Sequence, residues 1–90
     1  MDKEFELIAH PQIHAFSAIL VRLFSRAPHA HREMEIGLVL DGKVEFTVNG
    51  NANQLHSGDM YLLNPMDLHE IRGLDGSALI LAIQMSRQLV

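Results

Sequence analysis

Turn residues punctuate this chain at short, regular intervals. Asp41-Gly42, Asn49-Gly50, Ser57-Gly58-Asp59 and Asn64-Pro65 follow one another about eight residues apart. The segments between them are too short for ordinary helices, which average about 11–12 residues, but long enough for strands. Strands are expected near residues 5–8, 16–26, 31–40, 44–48, 53–56, 60–63, 69–72 and 78–85. Residues 44–48 alternate apolar and polar, as a half-buried strand does. Asp41-Gly42 and Asn49-Gly50 are two-residue hairpin signals. About eight closely spaced strands with polar turns predict an all-β sandwich or barrel.

Ninety residues form one domain, expected to span residues 1–90. Such a chain buries only about 60% of its unfolded surface, so association is expected to help it. An open-edged β domain must also protect its strand edges, and a homodimer is the expectation. The net charge of −4, with scattered Lys and Arg, argues against these residues gripping nucleic acid. There is no cysteine, hence no disulfide framework and no thiolate metal site. No apolar leader or membrane-length apolar run is visible, so a cytoplasmic protein without membrane contact is expected.

The chemistry concentrates in four residues. His29, His31 and Glu35 share parity, and in one extended strand they would face one interior. His69 follows the Asn64-Pro65 corner. Three imidazoles and a carboxylate suit Zn, Ni, Mn, Fe or Cu, and the set does not choose among them. Gly37 falls on the same face and leaves space beside the carboxylate, or marks a bulge. Val44, Phe46, Val48, Met60 and Leu62 are candidate cavity walls, with plain barrel core as the alternative. Tyr61, on the parity opposite Met60 and Leu62, is expected outside. Without a metal, the same cluster in an apolar cavity would hydrogen-bond a small polar effector. The effector pocket is therefore expected to comprise His29, His31, Glu35, Gly37, Phe46, Met60, Leu62 and His69. His10, His14 and His56 read as surface or loop histidines, Glu33 as a rim residue or a partner of Arg32 or Arg72, and Asp59 as a turn residue. No Ser-His-Asp order or phosphate loop appears, and no catalytic residue is assigned.

The string His29-x-His31-x-x-x-Glu35, with Gly42 beyond it, resembles the first cupin motif in residues and spacing. A looser second motif opens at Gly58-Asp59 and closes at His69, with its proline displaced to Pro65, Met66-Asp67 in place of a glycine, and Gly73 where an asparagine is usual. The resemblance covers roughly residues 16–85 and implies a small jelly-roll barrel. The run from Gly58 to Pro65, and that from Leu79 to Ser86, are similar to the sensor domain of AraC-type transcription regulators. That resemblance implies a small-molecule effector, a cupin domain at the N-terminus of a longer regulator, and DNA contact only through a C-terminal helix-turn-helix absent from this chain. The expectation is a sensor rather than an enzyme. The alternative is a stand-alone metal-dependent cupin, a dioxygenase or isomerase.

Overall fold

A computed structural model describes residues 3–9 and 16–85. His10 and His14 lie outside the described residues. Eight strands form, at β1 (Lys3–Ala9), β2 (Phe16–His29), β3 (Met34–Asp41), β4 (Lys43–Val48), β5 (Asn51–His56), β6 (Met60–Leu63), β7 (His69–Gly73) and β8 (Ala78–Met85). All paired strands run antiparallel, and no described residue is helical. The fold is the expected cupin jelly roll, a nearly closed barrel.

The strand order β5-β4-β7-β2-β8-β3-β6 depends on the long β2. Its first part, Phe16 to Leu23, pairs with β8, and β1 lies on its other edge. Its last part, from Ser25 to His29, pairs with β7. One strand therefore belongs to both walls of the barrel. The register shifts between Arg26 and His29, where the strand irregularity re-aims the chain towards the barrel mouth.

Asn49-Gly50 makes the expected hairpin between β4 and β5, with φ of 48° and 87° at the two residues, as a type I′ turn requires. Asp41-Gly42 does not make a hairpin. β3 pairs with β6 and β8, whereas β4 pairs with β5 and β7. The Gly42 turn, at φ 94°, carries the chain from one wall to the other. A local turn signal specifies a reversal, but not which strands pair after it. The Ser57-Gly58-Asp59 turn does behave as expected. Asp59 accepts from the His56 amide at 2.9 Å, and its own carbonyl accepts from Val39 N–H at 2.9 Å.

The core is built from alternate residues of both walls. Val21, Leu23, Val39, Val44, Phe46, Leu63, Ile71 and Ile80 are buried, and Leu63 and Val39 are fully so. In a domain this small each such side chain carries a large share of the stability. Ile80→Ala should destabilise the domain by about 3 kcal/mol, the usual range for emptying a core position, and a urea melt followed by circular dichroism reads the shift.

Candidate functional site

The site lies at one mouth of the barrel, assembled from two chain turns rather than from one strand. His29 is the last residue of β2, His31 stands in the bend before β3, and Glu35 is the second residue of β3. The expected common strand face for His29, His31 and Glu35 is therefore corrected: the chain turns between them. His69 opens β7 and pairs in register with His29.

Backbone hydrogen bonds fix both turns. Met66 N–H donates to the His31 carbonyl at 2.7 Å, which fastens the bend after β2 to the corner after β6. Met66 adopts φ 70°, a conformation uncommon for a side chain of this kind. Asp67 accepts from Asn64 N–H at 2.9 Å and from Asn49 Nδ2 at 3.0 Å. These bonds hold its carboxyl below the ordinary 3.8. Asn49 in turn accepts from Leu68 N–H at 2.9 Å. His69 thus follows a corner tied to the β4–β5 turn.

The three rings share one device. His29 Nδ1 donates to the Ala27 carbonyl, His31 Nδ1 to the Glu33 carbonyl and His69 Nδ1 to the Asp67 carbonyl, each at 3.0 Å. A carbonyl only accepts, so Nδ1 carries the proton in each ring; Nε2 is left to bind in His29 and His69, whereas in His31 Nε2 is taken up by Glu35 Oε1 at 3.0 Å. Ring centroids are 4.0 Å apart for His29 and His69, 5.1 Å for His31 and His69, and 6.0 Å for His29 and His31. One ring nitrogen from each of the three lies within 4.8 Å of the others. Burial pushes the His69 ring below its ordinary 6.5, and the nearby His29 and His31 add to this against the Asp67 carbonyl and Glu35. The ring is therefore neutral at pH 7, the form that binds a metal.

Glu35 is buried and bonded on both oxygens. Its Oε2 accepts from Tyr61 OH at 2.5 Å, and its Oε1 accepts from Gln84 Nε2 at 2.9 Å and stands 3.0 Å from His31 Nε2. Burial alone would push this carboxyl up. The Tyr61 and Gln84 bonds, with His31 and His69 nearby, outweigh it and hold the group below its ordinary 4.5. Glu35 meets the histidine group through His31.

Tyr61 is the residue that sequence parity misplaced. It is buried, while Met60 and Leu62 are 63% and 56% exposed and do not line the cavity beside Glu35. All four residues of β6 are apolar or aromatic, so parity within that strand does not show which face is inside. The cross-strand register does. Gly37 lies opposite Tyr61 and Glu35 opposite Leu63, so the inward face of β3 makes Tyr61 and Leu63 inward too. Gly37 leaves space for this ring rather than for a ligand. A Cβ there would overlap Tyr61 Cε2 and Cζ. Phe46 packs against Tyr61, with centroids 4.3 Å apart and the rings tilted by 31°, and belongs to the core instead of lining the cavity. Val44 is core, Val48 packs against it, and neither lines the cavity. His56 is exposed at the end of β5, and Glu33 sits at the rim, 3.8 Å from His31 Nδ1. Arg72 pairs with Glu45 at 2.8 Å, not with Glu33.

Behind the histidines is a cavity of about 40 Å³. Arg26, His29, Glu35, Tyr61, His69 and Gln84 form its polar end, and Ile19, Val21, Leu23, Ile71 and Ile80 its apolar wall. His31 and Gly37 do not line it. It has room for one or two waters, against the several hundred Å³ typical of a small-molecule pocket.

Residues 13–78 match the family described as the AraC-like ligand binding domain. The chain belongs to that family. Solved structures show the same fold. An RmlC-like cupin from Shewanella frigidimarina is 20% identical, with 86% of this chain and 73% of that one covered and a TM-score of 0.75. The cupin domain of Schizosaccharomyces pombe Cnp3 is 15% identical, with 98% and 66% covered and a TM-score of 0.83. A putative mannose-6-phosphate isomerase from Ralstonia eutropha is 11% identical, with 92% and 84% covered and a TM-score of 0.80. No curated protein sequence matches the chain. Within the AraC-like ligand binding domain Glu35 and His69 are buried, while His29 and His31 are partly exposed.

Two variants test this arrangement. Tyr61→Phe leaves a buried carboxylate short of one donor and should cost about 1.5–3 kcal/mol. Because the folded carboxyl lies below 4.5, its stabilisation is complete above that pH and is lost as pH falls through the folded value. In Tyr61→Phe the folded value rises, so acid unfolding, followed with chelator present, should move to higher pH. Gly37→Ala must displace the Tyr61 ring and should lower the melting temperature, as read by circular dichroism.

Proposed function

We propose that this chain is the effector-sensing module of an AraC-type transcription regulator, and that His29, His31 and His69, with Glu35 beside them, hold a divalent transition metal against which a small polar effector binds. The observation that carries the reading is the set of three imidazoles, each with Nδ1 bonded to a backbone carbonyl, at the mouth of an AraC-like ligand binding domain.

The donor set fits a metal. Orienting a ligand histidine through its second nitrogen is the usual companion of metal binding, and here it recurs on all three rings. When bound, the ion would supply a Lewis acid for an oxygen of the effector. The chain's own residues do the rest. The backbone carbonyls fix the tautomers, Tyr61 and Gln84 keep Glu35 ionised and oriented, and Glu35 sets the His31 ring. Arg26 gives the inner cavity a positive group. The volume behind the histidines is far too small for a sugar-sized molecule, so the effector engages at the mouth, with only a small group reaching inward. DNA is read elsewhere, by a helix-turn-helix module, and effector binding favours one of two arrangements of that module.

A second reading, a metal-dependent enzyme such as a dioxygenase or isomerase, is favoured by the same histidine set. One protein of the same fold is described as a putative isomerase. The two differ in turnover. A sensor binds its ligand and releases it unchanged.

Chelator-treated protein titrated with Zn(II), Ni(II), Mn(II), Fe(II) and Cu(II) should take up one equivalent of at least one ion by calorimetry, and His69→Ala should lose that uptake. Protein that binds none of them ends the metal part of the proposal. Monosaccharides and hydroxy acids can then be screened by thermal shift. A ligand present at 100 times its dissociation constant should stabilise the domain by about 2.7 kcal/mol and be recovered chemically intact. Steady conversion of a ligand would favour the enzyme instead.

A further inference from the structure

One side-chain amide fastens the corner before His69 to the β4–β5 turn. Asn49 donates through Nδ2 to Asp67 Oδ1 at 3.0 Å and accepts at Oδ1 from Leu68 N–H at 2.9 Å. Its own N–H donates to the Leu68 carbonyl at 2.7 Å. Asp67 uses its other carboxylate oxygen for Asn64 N–H and its carbonyl for the His69 ring. The residue after Asn49 is Gly50. Asparagine is a thermolabile residue, and a following glycine exposes it most, because a residue without a side chain lets its backbone nitrogen approach the asparagine Cγ. The other asparagines, Asn51, Asn53 and Asn64, precede Ala52, Gln54 and Pro65. A side chain at the next position hinders that approach, and proline has no N–H to lose. Asn49 and Gly50 are exposed, and a Cβ built on Gly50 would meet nothing within 4 Å, so the turn is open to water and hydroxide.

We propose that Asn49 is a site of spontaneous deamidation, and that its conversion to aspartate or isoaspartate unties the rim that seats His69. The Gly50 nitrogen gives up its proton to solvent and attacks Asn49 Cγ. The new C–N bond closes a succinimide ring, the Cγ–Nδ2 bond breaks, and the nitrogen leaves as ammonia with a proton taken from water. Water then adds to one of the two imide carbonyls. Opening at one yields aspartate. Opening at the other yields isoaspartate, in which the main chain runs through the former side chain and is longer by one carbon.

The fold sets both the rate and the consequence. Attack requires Asn49 Cγ to turn towards Gly50, while both ends of the amide are held at the rim. The reaction therefore draws on the molecules whose rim has opened locally. Once it has run, Asp67 has lost its amide donor. Aspartate at this position sets one carboxylate against another, and like charges repel. Isoaspartate lengthens a two-residue turn whose φ values of 48° and 87° suit the type I′ geometry. Either product favours the open rim, and refolding does not reverse the step.

Folded protein held at mildly alkaline pH, then digested and mapped by mass spectrometry, should convert at Asn49 and not at Asn51, Asn53 or Asn64. The chain unfolded in urea should convert at Asn49 several-fold faster. Asp67→Ala, which frees the amide, should bring the folded rate towards the unfolded one, with circular dichroism checking the fold. Asn49→Asp, equivalent to one product, should melt below the wild type and lose hydrogen-exchange protection at the Leu68 amide. Adding Asp67→Asn should recover most of both losses, because amide and carboxylate then exchange places across the same contact. Folded protein that keeps Asn49 intact while the unfolded chain converts it, conversion no faster in folded Asp67→Ala, or a double variant no better than Asn49→Asp alone would overturn the proposal.

Discussion

A carboxylate buried in a β-barrel must be given donors, and in this protein most of the site follows from that demand. Glu35 is nearly inaccessible, yet its carboxyl stays easier to ionise than a free one. Burial acts against that and would prevail alone. The donors come from separate strands, Tyr61 from β6 and Gln84 from β8, with the His31 ring from the bend before β3. Supplying the phenol needs room for a ring directly across the sheet, and Gly37 provides it. Phe46 packs against that ring. A position without a side chain in β3 and a tyrosine in β6 are thus two halves of one requirement.

The histidines are positioned by a different principle. Their rings are oriented by backbone carbonyls two residues before or after each ring. This ties ring orientation to backbone conformation, and the backbone is fixed by the Met66–His31 bond and the Asn49–Asp67 pair. The bend after β2, the corner after β6 and the β4–β5 turn form one hydrogen-bonded rim. His69, buried and neutral, meets the more accessible His29 and His31 at its inner edge.

Much of this was legible in the sequence, for physical reasons. Most of the strands follow from apolar runs and from turns of types that demand Gly, Asn or Asp. His29, His31, Glu35 and His69 do come together. The reason given by parity, a shared strand face, was wrong, because the chain bends between His31 and Glu35. Tyr61, Met60 and Leu62 were assigned to the wrong faces because Met60–Leu63 is apolar on both sides and its parity carries no information. Pairing with Gly37 supplies that information, and pairing is a non-local property. The Asp41-Gly42 turn illustrates the same limit: its residues specify the bend, while the partners of the strands on either side lie elsewhere in the chain.

That turn has a consequence for how the molecule is made. Strands adjacent in sequence at Gly42 part company, and β3 waits for β6 and β8, while β2 waits for β7 and β8. Among these pairings only β4 with β5 closes across a two-residue turn. The loop-closure entropy of the distant pairs must be met before their contacts reward it, which makes folding slow. During synthesis the barrel has no seam to close until Ala78–Met85 has left the ribosome, and until then the apolar strands β2 and β3 stand with open edges. The last of the described strands to emerge, β8, is thus the one that joins β2 to β3.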